Sequence, residues 1–248
     1  MTKNPLISVV IPTQKNREEL LERAIKSIKK QTYKRIEIIP VLEGNNAADS
    51  RNIGIDKSSG KYIAFLDDDD EWLPDKLEKQ VKKLENHPSV NLVICWTLDK
   101  RYDEQYIDKY PEFVYLYNAL KLFRLSSTSS YIFRKSALEK FDVNFPTAQE
   151  YELAIRTLMT SVAMCVQEVG VIMYKTENQM TRNWKGKRKG LKMLYKKHKQ
   201  LYKKYGWMEF IKFRIKFFGI ISLYWFAEIF GDKVYKIIVP IKRRGDEK

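Results

Sequence analysis

A chain of 248 residues with 44% apolar side chains is long enough for one sizeable α/β domain with its own core and an appendage, and short for two full domains. Its net charge of +15 is localised: residues 1–180 carry 26 Lys and Arg against 26 Asp and Glu, whereas residues 181–248 carry 20 against 5, so the whole excess lies in a basic tail. Only two cysteines occur, each inside an apolar stretch, which excludes a disulfide framework and casts Cys95 and Cys165 as small buried hydrophobes.

The apolar run 6–11, stopped by Pro12, has the pattern of a strand buried on both faces of a parallel sheet. It is too short for a secretory leader and passes straight into patterned sequence, so the expectation is a protein that stays in the cytoplasm. Between 17 and 31, Leu20, Leu21, Ala24, Ile25 and Ile28 fall at helical spacing. Residues 36–42 predict a second strand, 50–58 a short helix ended near Gly60, and 62–66 a third strand. This β-α-β-α-β alternation predicts a doubly wound, mainly parallel α/β sheet flanked by helices, with ligands bound beyond the carboxyl ends of its strands. Pro74 is suited to the first position of a helix reaching about Asn86. Residues 91–98 predict a fourth strand, 99–125 an irregular aromatic-rich excursion, 131–133 another strand, 147–160 a helix, and 162–174 two short strands separated near Gly170. The expected division is a catalytic domain at 1–180 and a helical tail at 181–248.

Four adjacent carboxylates, Asp67, Asp68, Asp69 and Asp70, follow directly on the third strand. They repel one another, and a divalent cation relieves that repulsion. Mg2+ and Mn2+ take oxygen ligands, typically one or two protein carboxylates together with phosphate oxygens, so an Asp-x-Asp turn suits a nucleoside diphosphate. A solvated acidic turn leading into a helix is the bland alternative. His87 and His198, with no second histidine or cysteine near either in sequence, suggest surface or packing roles rather than a metal site.

Ser8-Val-Val-Ile-Pro-Thr13 followed by Asn16-Arg17, Gln31-Thr-Tyr33, Arg51-Asn-Ile-Gly54 and Phe65-Leu-Asp-Asp-Asp-Asp-Glu-Trp-Leu-Pro74 occur in that order. Together they resemble the N-terminal half of the family 2 inverting glycosyltransferases, which have the GT-A fold. The resemblance implies that Pro12, Thr13 and Arg17 line the nucleotide pocket, that Arg51 and Asp68 contact the nucleotide-sugar, and that Asp67 and Asp69 hold Mn2+ or Mg2+. Glu43 stands where the family usually has an acidic pair after its second strand. Phe141-Asp-Val-Asn-Phe-Pro-Thr-Ala-Gln-Glu-Tyr-Glu-Leu153 with Arg156 resembles the family's acidic motif beneath the acceptor, with Glu150 as general base, and Ser126-Ser-Thr-Ser-Ser130 resembles a segment beside that acceptor. The implied reaction moves a sugar from a UDP-, GDP- or dTDP-sugar to a hydroxyl acceptor, with inversion.

In the tail, Leu191, Leu194, Tyr195, Leu201, Tyr202 and Tyr205 follow helical spacing among lysines, and residues 207–230 mix bulky aromatics with Lys212, Arg214 and Lys216. The apolar stretch 217–230 is shorter than the roughly 20 residues a bilayer-spanning helix needs. The expectation is a pair of amphipathic helices lying at the inner face of the cell membrane, in keeping with a lipid-linked acceptor. The alternative is packing on the catalytic domain or on a second subunit in a homodimer. Two other functions are set against glycosyl transfer. A nucleic-acid-binding protein would use the tail but be repelled by the aspartates, so no nucleic-acid partner is expected. A nucleotide-sugar pyrophosphorylase would call for a glycine-rich loop after the first strand, which the Thr13-Gln-Lys-Asn-Arg17 segment lacks.

Overall fold

One polar side chain in the six residues 6–11 leaves no face for solvent. In the computed structural model, which describes residues 4–101, 105–176 and 183–230, this run becomes β1 (Ile7–Pro12), with all but its last residue buried. Helix α1 (Glu18–Lys29), β2 (Ile36–Val41), α2 (Ala47–Lys57) and β3 (Tyr62–Phe65) follow it. Then come β4 (Asp70–Trp72), α3 (Lys76–Asn86), β5 (Leu92–Asp99), β6 (Tyr106–Asp108), β7 (Phe113–Val114) and α4 (Leu116–Leu122). The order ends with β8 (Ile132–Arg134), α5 (Gln149–Leu158), β9 (Ala163–Met173), α6 (Trp184–Lys203) and α7 (Trp207–Phe230).

The strands form one sheet in the order β2-β1-β3-β8-β5-β9-β4, with β6 on β5 and β7 on β9. Along that path β2, β1, β3, β5 and β9 run one way and only β8 and β4 oppose them, so the sheet is mainly parallel. Alternation along the strands divides the core. Val9, Ile11, Ala64 and Leu66 face one side with Ala24 and Ile28 of α1 and Leu77 and Leu84 of α3; Val10, Phe65 and Ile94 face the other, with α2, α5 and the tail helices. Helices therefore cover both faces, as the doubly wound alternation predicts.

Four local expectations are corrected. Helix α2 starts at Ala47 rather than 50, because Asn46 caps it by accepting a hydrogen bond from the Asp49 backbone N–H at 3.1 Å. The helix predicted to begin at Pro74 begins at Lys76, and the segment before it forms β4, paired with β9 some 100 residues later. Residues 163–173 are one strand, not two; the break expected near Gly170 is a bulge, across which Cys95 pairs with Val166 and Trp96 with Val169. The excursion at 99–125 is partly regular, holding β6, β7 and α4.

The tail helices pack side by side and antiparallel: Trp184 meets Tyr224 and Arg188 pairs with Glu228 at 2.8 Å at one end, while Tyr195 stacks on Phe217 at 4.6 Å nearer the other. Leu191, Leu194, Leu201 and Tyr202 of α6 and Phe213, Phe217 and Ile220 of α7 join the same core as Tyr151, Leu153 and Ile155 of α5. No helix among the described residues is long and apolar enough to cross a membrane. Cys95 and Cys165 are both buried and free, as expected.

Candidate active site

The carboxyl end of β3 delivers Asp67 into the wall of a cavity of about 1290 Å3. Pro12 and Thr13 reach the same cavity from the end of β1, Arg17 from the loop before α1, and Arg51 from α2; Asp68, Asp69 and Glu150 complete the set. Thus all the sequence-predicted site residues converge except one. Glu43 lies on the exposed surface, its carboxylate 2.8 Å from Lys57 Nζ, and it does not line the cavity although Leu42, Gly44 and Asn45 do. Glu43, expected beside the nucleotide, is the one such residue placed outside the cavity: its side chain turns back over α2, whose last turn supplies its cation.

Successive aspartates take different partners. Asp67 accepts from Arg51 Nη2 at 2.6 Å. Asp68 is nearly buried and has both oxygens committed: Arg17 Nε and Nη2 donate to them at 2.9 and 2.6 Å, and Thr13 Oγ1 donates at 2.7 Å. This bidentate pair knits the β1 loop to the acidic run. Asp69 accepts from Thr176 Oγ1 at 3.1 Å and lies 3.3 Å from Arg17 Nη2. Asp70 is buried, accepting from Ser129 Oγ at 2.5 Å, while that same oxygen accepts from the Asp67 backbone N–H at 3.1 Å. Ser129, from the serine-rich segment, therefore stitches the acidic turn from beneath.

Arg51 can reach Asp67 because α2 sits hard on β1. A Cβ on Gly54, one turn along, would lie 2.2 Å from Val10 Cγ1, so only glycine permits this approach. Arg51 is 5% exposed, its guanidinium packs over the Phe141 ring at 5.5 Å, and its Nε is buried with no hydrogen-bond partner among the described residues. A buried cationic donor left in this state beside a cavity suits an anionic ligand.

Burial pushes the Asp69 carboxyl above its ordinary value, and the charge of Asp67 pushes it further, with Arg17 opposing. A divalent cation between Asp67 and Asp69 would relieve that repulsion. Among the described residues no three His, Cys, Asp or Glu side chains gather to hold a metal by themselves. The fit is therefore to a cation held by two carboxylates and completed by diphosphate oxygens, the coordination Mg2+ and Mn2+ favour. Glu150, in the first turn of α5, is partly buried; burial raises its pKa, Arg51 lowers it and Asp67 raises it. Its carboxylate takes no side-chain hydrogen bond from the described residues, unlike the knotted aspartates.

Several residues of the cavity had no motif to announce them. Asp99 and Arg101 form a two-pronged pair at 2.9 and 2.7 Å, and Asp108 pairs with Arg124 at 2.9 Å, all four lining the cavity. Helices α6 and α7 contribute Lys187, Leu191, Lys216, Ile220 and Tyr224. Among the described residues, the non-glycine ones with positive φ, namely Asn16 (65°), Phe123 (57°), Ser126 (49°) and Ala148 (62°), all line this cavity. Such conformations cost about 1–3 kcal/mol each for residues other than asparagine and collect where a site is shaped against local preference.

A chain of Methanocaldococcus jannaschii described as an uncharacterized glycosyltransferase is 25% identical over 277 residues, covering 98% of this chain and 96% of that one. A Campylobacter jejuni GalNAc(5)-diNAcBac-PP-undecaprenol beta-1,3-glucosyltransferase is 34% identical over 108 residues, 32% of this chain and only 34% of that enzyme. Among solved structures, a Pyrobaculum calidifontis mannosyltransferase in complex with GDP-Man and Mn2+ superposes with a TM-score of 0.58 at 17% identity, over 80% of this chain and 65% of that one. S. aureus TarS in complex with UDP superposes at 0.57 and 14% identity, over 76% and 64%. Both are likenesses of fold, of the GT-A type. The sequence model described as glycosyl transferase family 2 matches residues 8–46 and 41–144, more than half of the chain. The chain belongs to glycosyl transferase family 2, and its enzyme class is glycosyltransferase.

Proposed function

We propose that this enzyme is a metal-dependent, inverting glycosyltransferase that moves a sugar from a nucleotide-sugar to a hydroxyl group of a lipid-linked or glycan acceptor. The observation that carries the reading is the convergence of Asp67, Asp69, Arg51 and Glu150 on one cavity at the carboxyl end of β3. Asp67 and Asp69 would hold Mn2+ or Mg2+, which supplies charge neutralisation for the leaving diphosphate. Arg51, with its unsatisfied Nε, would meet the same phosphates, and Pro12 and Thr13 the nucleoside. The bound UDP of the S. aureus structure and the GDP-Man of the archaeal mannosyltransferase support a nucleoside diphosphate donor.

In the transfer step the acceptor oxygen attacks the anomeric carbon as that carbon's bond to the diphosphate oxygen breaks, and the nucleoside diphosphate leaves with the electron pair. Glu150 takes the acceptor's proton. Its raised pKa strengthens it as a base near neutrality, where proton transfer is most effective. A single displacement on the face opposite the leaving group inverts the configuration. The relative that acts on a polyprenyl diphosphate glycan supports a lipid-borne acceptor, and with it a peripheral position at the inner face of the membrane through the tail. Pyrophosphorolysis and nucleic-acid binding are not favoured: family membership supports glycosyl transfer, the first lacks its glycine-rich loop after β1, and the second leaves the acidic site unexplained.

A thermal-shift panel of nucleoside diphosphates and their sugars, with Mn2+ or with a chelator, tests the donor side. Stabilisation by one nucleotide class only when metal is present is the expected result, and Asp69→Ala should abolish it. Metal-independent stabilisation that survives Asp69→Ala would reduce the acidic run to a structural turn.

A further inference from the structure

Helix α7 buries Phe210, Phe213, Phe217, Ile220 and Ala227, yet nine of the sixteen large apolar side chains exposed among the described residues also belong to it. Ile211, Ile215, Phe218, Trp225 and Ile229 recur at spacings of four, three, seven and four, with Ser222 in the vacant turn. At 3.6 residues per turn they form one outward ridge along a helix of about 36 Å. Ile215 is 70% exposed and Phe218 51%. Exposed Lys212 and Arg214 flank the ridge, one on each side.

Helix α6 repeats the geometry with the opposite chemistry. Lys185, Lys189, Lys192, Lys196, Lys199 and Lys203 recur at four, three, four, three and four, all exposed and all opposite the buried Leu191, Leu194 and Leu201. Because the two helices are antiparallel neighbours and each turns its stripe away from the core, a rail of six lysines runs beside an apolar ridge on one outer face. Helix α6 contains no acidic residue, and the two of α7 are engaged within the hairpin, Glu209 with Lys212 at 2.7 Å and Glu228 with Arg188 at 2.8 Å. A second copy placed ridge to ridge would thus bring no acidic counterpart for the rail. An anionic bilayer satisfies both stripes: apolar side chains enter the acyl boundary while lysines remain among the headgroups.

We propose that the outer face of the α6–α7 hairpin is a docking surface for an anionic lipid bilayer, and that docking brings the active-site cavity alongside the lipid. The second part rests on the lipid-borne acceptor proposed above. Gly219, Leu223 and Ala227 of α7 line that cavity, and Gly219 sits where the cavity-lining arc of the helix meets the ridge, with nothing within 4 Å of a Cβ built on it. An acceptor that keeps its lipid in the bilayer has only to lift its polar head past this open edge.

Flotation of the full chain with vesicles, scored without donor or acceptor, tests the surface. Vesicles of phosphatidylcholine mixed with phosphatidylglycerol should carry the protein up, and phosphatidylcholine alone or high salt should not. Each lysine near an anionic surface contributes about fivefold to partitioning, so Lys189→Gln, Lys192→Gln and Lys196→Gln together should lower it about 100-fold. Ile215→Asp with Phe218→Asp should abolish it. Neither set lines the cavity, so thermal midpoint and turnover of a water-soluble acceptor should stay unchanged. Failure of the wild type to float with anionic vesicles overturns the proposal. So does a solution dimer that the Ile215/Phe218 pair converts to monomer without altering flotation, which assigns the ridge to a second copy. Loss of turnover with intact flotation would refute only the transfer reading. For the portal, Gly219→Phe should slow transfer to a lipid-borne acceptor more than transfer to the water-soluble one; equal slowing of both would refute it.

Discussion

Lys76 lies under the acidic run, 2% exposed, with Nζ donating to Gln80 Oε1 at 2.8 Å and 3.9 Å from the centre of the Trp72 ring. Burial lowers its pKa from 10.5 to about 8, which at 1.36 kcal/mol per pH unit corresponds to about 3 kcal/mol of cost to the charged form. A titration that stops at about pH 10, roughly half a unit short of the unfolded value, samples about 2 kcal/mol of it. The unfolded chain therefore binds one more proton than the folded chain between about pH 8 and about pH 10.5, so this group makes stability rise with pH across that window. Lys76→Met keeps most of the stem and removes the titrating group, at a pH-independent cost for the orphaned Gln80 carbonyl. Urea unfolding of both proteins from about pH 7 to about pH 10 should show the difference moving by about 2 kcal/mol in favour of the wild type. A difference constant to within about 0.5 kcal/mol would mean that Lys76 titrates as it does in water, and that the packing around Trp72 and Gln80 is open.

Glu150→Gln should leave nucleotide affinity unchanged and slow transfer by at least about 100-fold, the lower range for removal of a general base. In the wild type the rate should fall as pH drops through the raised pKa of Glu150, and this acid limb should vanish from the residual activity of the variant. Glu152, fully buried, accepts from Arg156 Nε at 3.0 Å, Lys197 Nζ at 2.9 Å and His198 Nε2 at 3.2 Å. Glu152→Ala removes the acceptor that these three side chains share, while Arg156 keeps Glu139 and Lys197 keeps Asp142, and should cost about 1–3 kcal/mol in denaturant unfolding. Because hydrogen bonds from His198 and Lys197 hold the folded pKa of Glu152 below 4.5, its contribution is present above that value and is lost as pH falls through the folded pKa.

The donor half of the site was legible because its chemistry sits at strand ends. A buried run followed at once by Asp67, Asp68, Asp69 and Asp70 places carboxylates at a sheet edge whatever else the chain does, and Arg51 and Gly54 occupy one short helix beside it. What tells Asp68 from Asp67 and Asp69 is tertiary: Thr13 and Arg17, more than 50 residues away in sequence, capture both of its oxygens. Glu43 misled because a surface lysine within one helix length drew it off. Residues 99–125 gave no period to read, since Asp99, Arg101, Asp108 and Arg124 are ordered by ion pairs across short strands. Nor could the sequence announce Phe123, Ser126 and Ala148 as left-handed positions, where glycine would have been the usual sign.

The tail looked like an appendage because its charge differs so sharply from the rest, but its buried faces argue otherwise. His198 and Lys197 of α6 grip Glu152, two residues along α5 from Glu150, while Leu191 and Leu194 fill the core behind that helix. Leu191, Ile220 and Tyr224 also wall the cavity. The two faces of the hairpin should therefore separate in experiment. Removing residues 183–248 withdraws the cations from a buried carboxylate and several large side chains from the core, each change worth about 2–5 kcal/mol, against a total stability of about 5–15 for a domain. The truncated chain should lose turnover even of a water-soluble acceptor, whereas Ile215→Asp with Phe218→Asp should keep it. If a chain ending at residue 182 retained turnover to within about tenfold, the α5–α6 latch would be dispensable, and Glu150 would have to be held by α5 and its left-handed Ala148 alone.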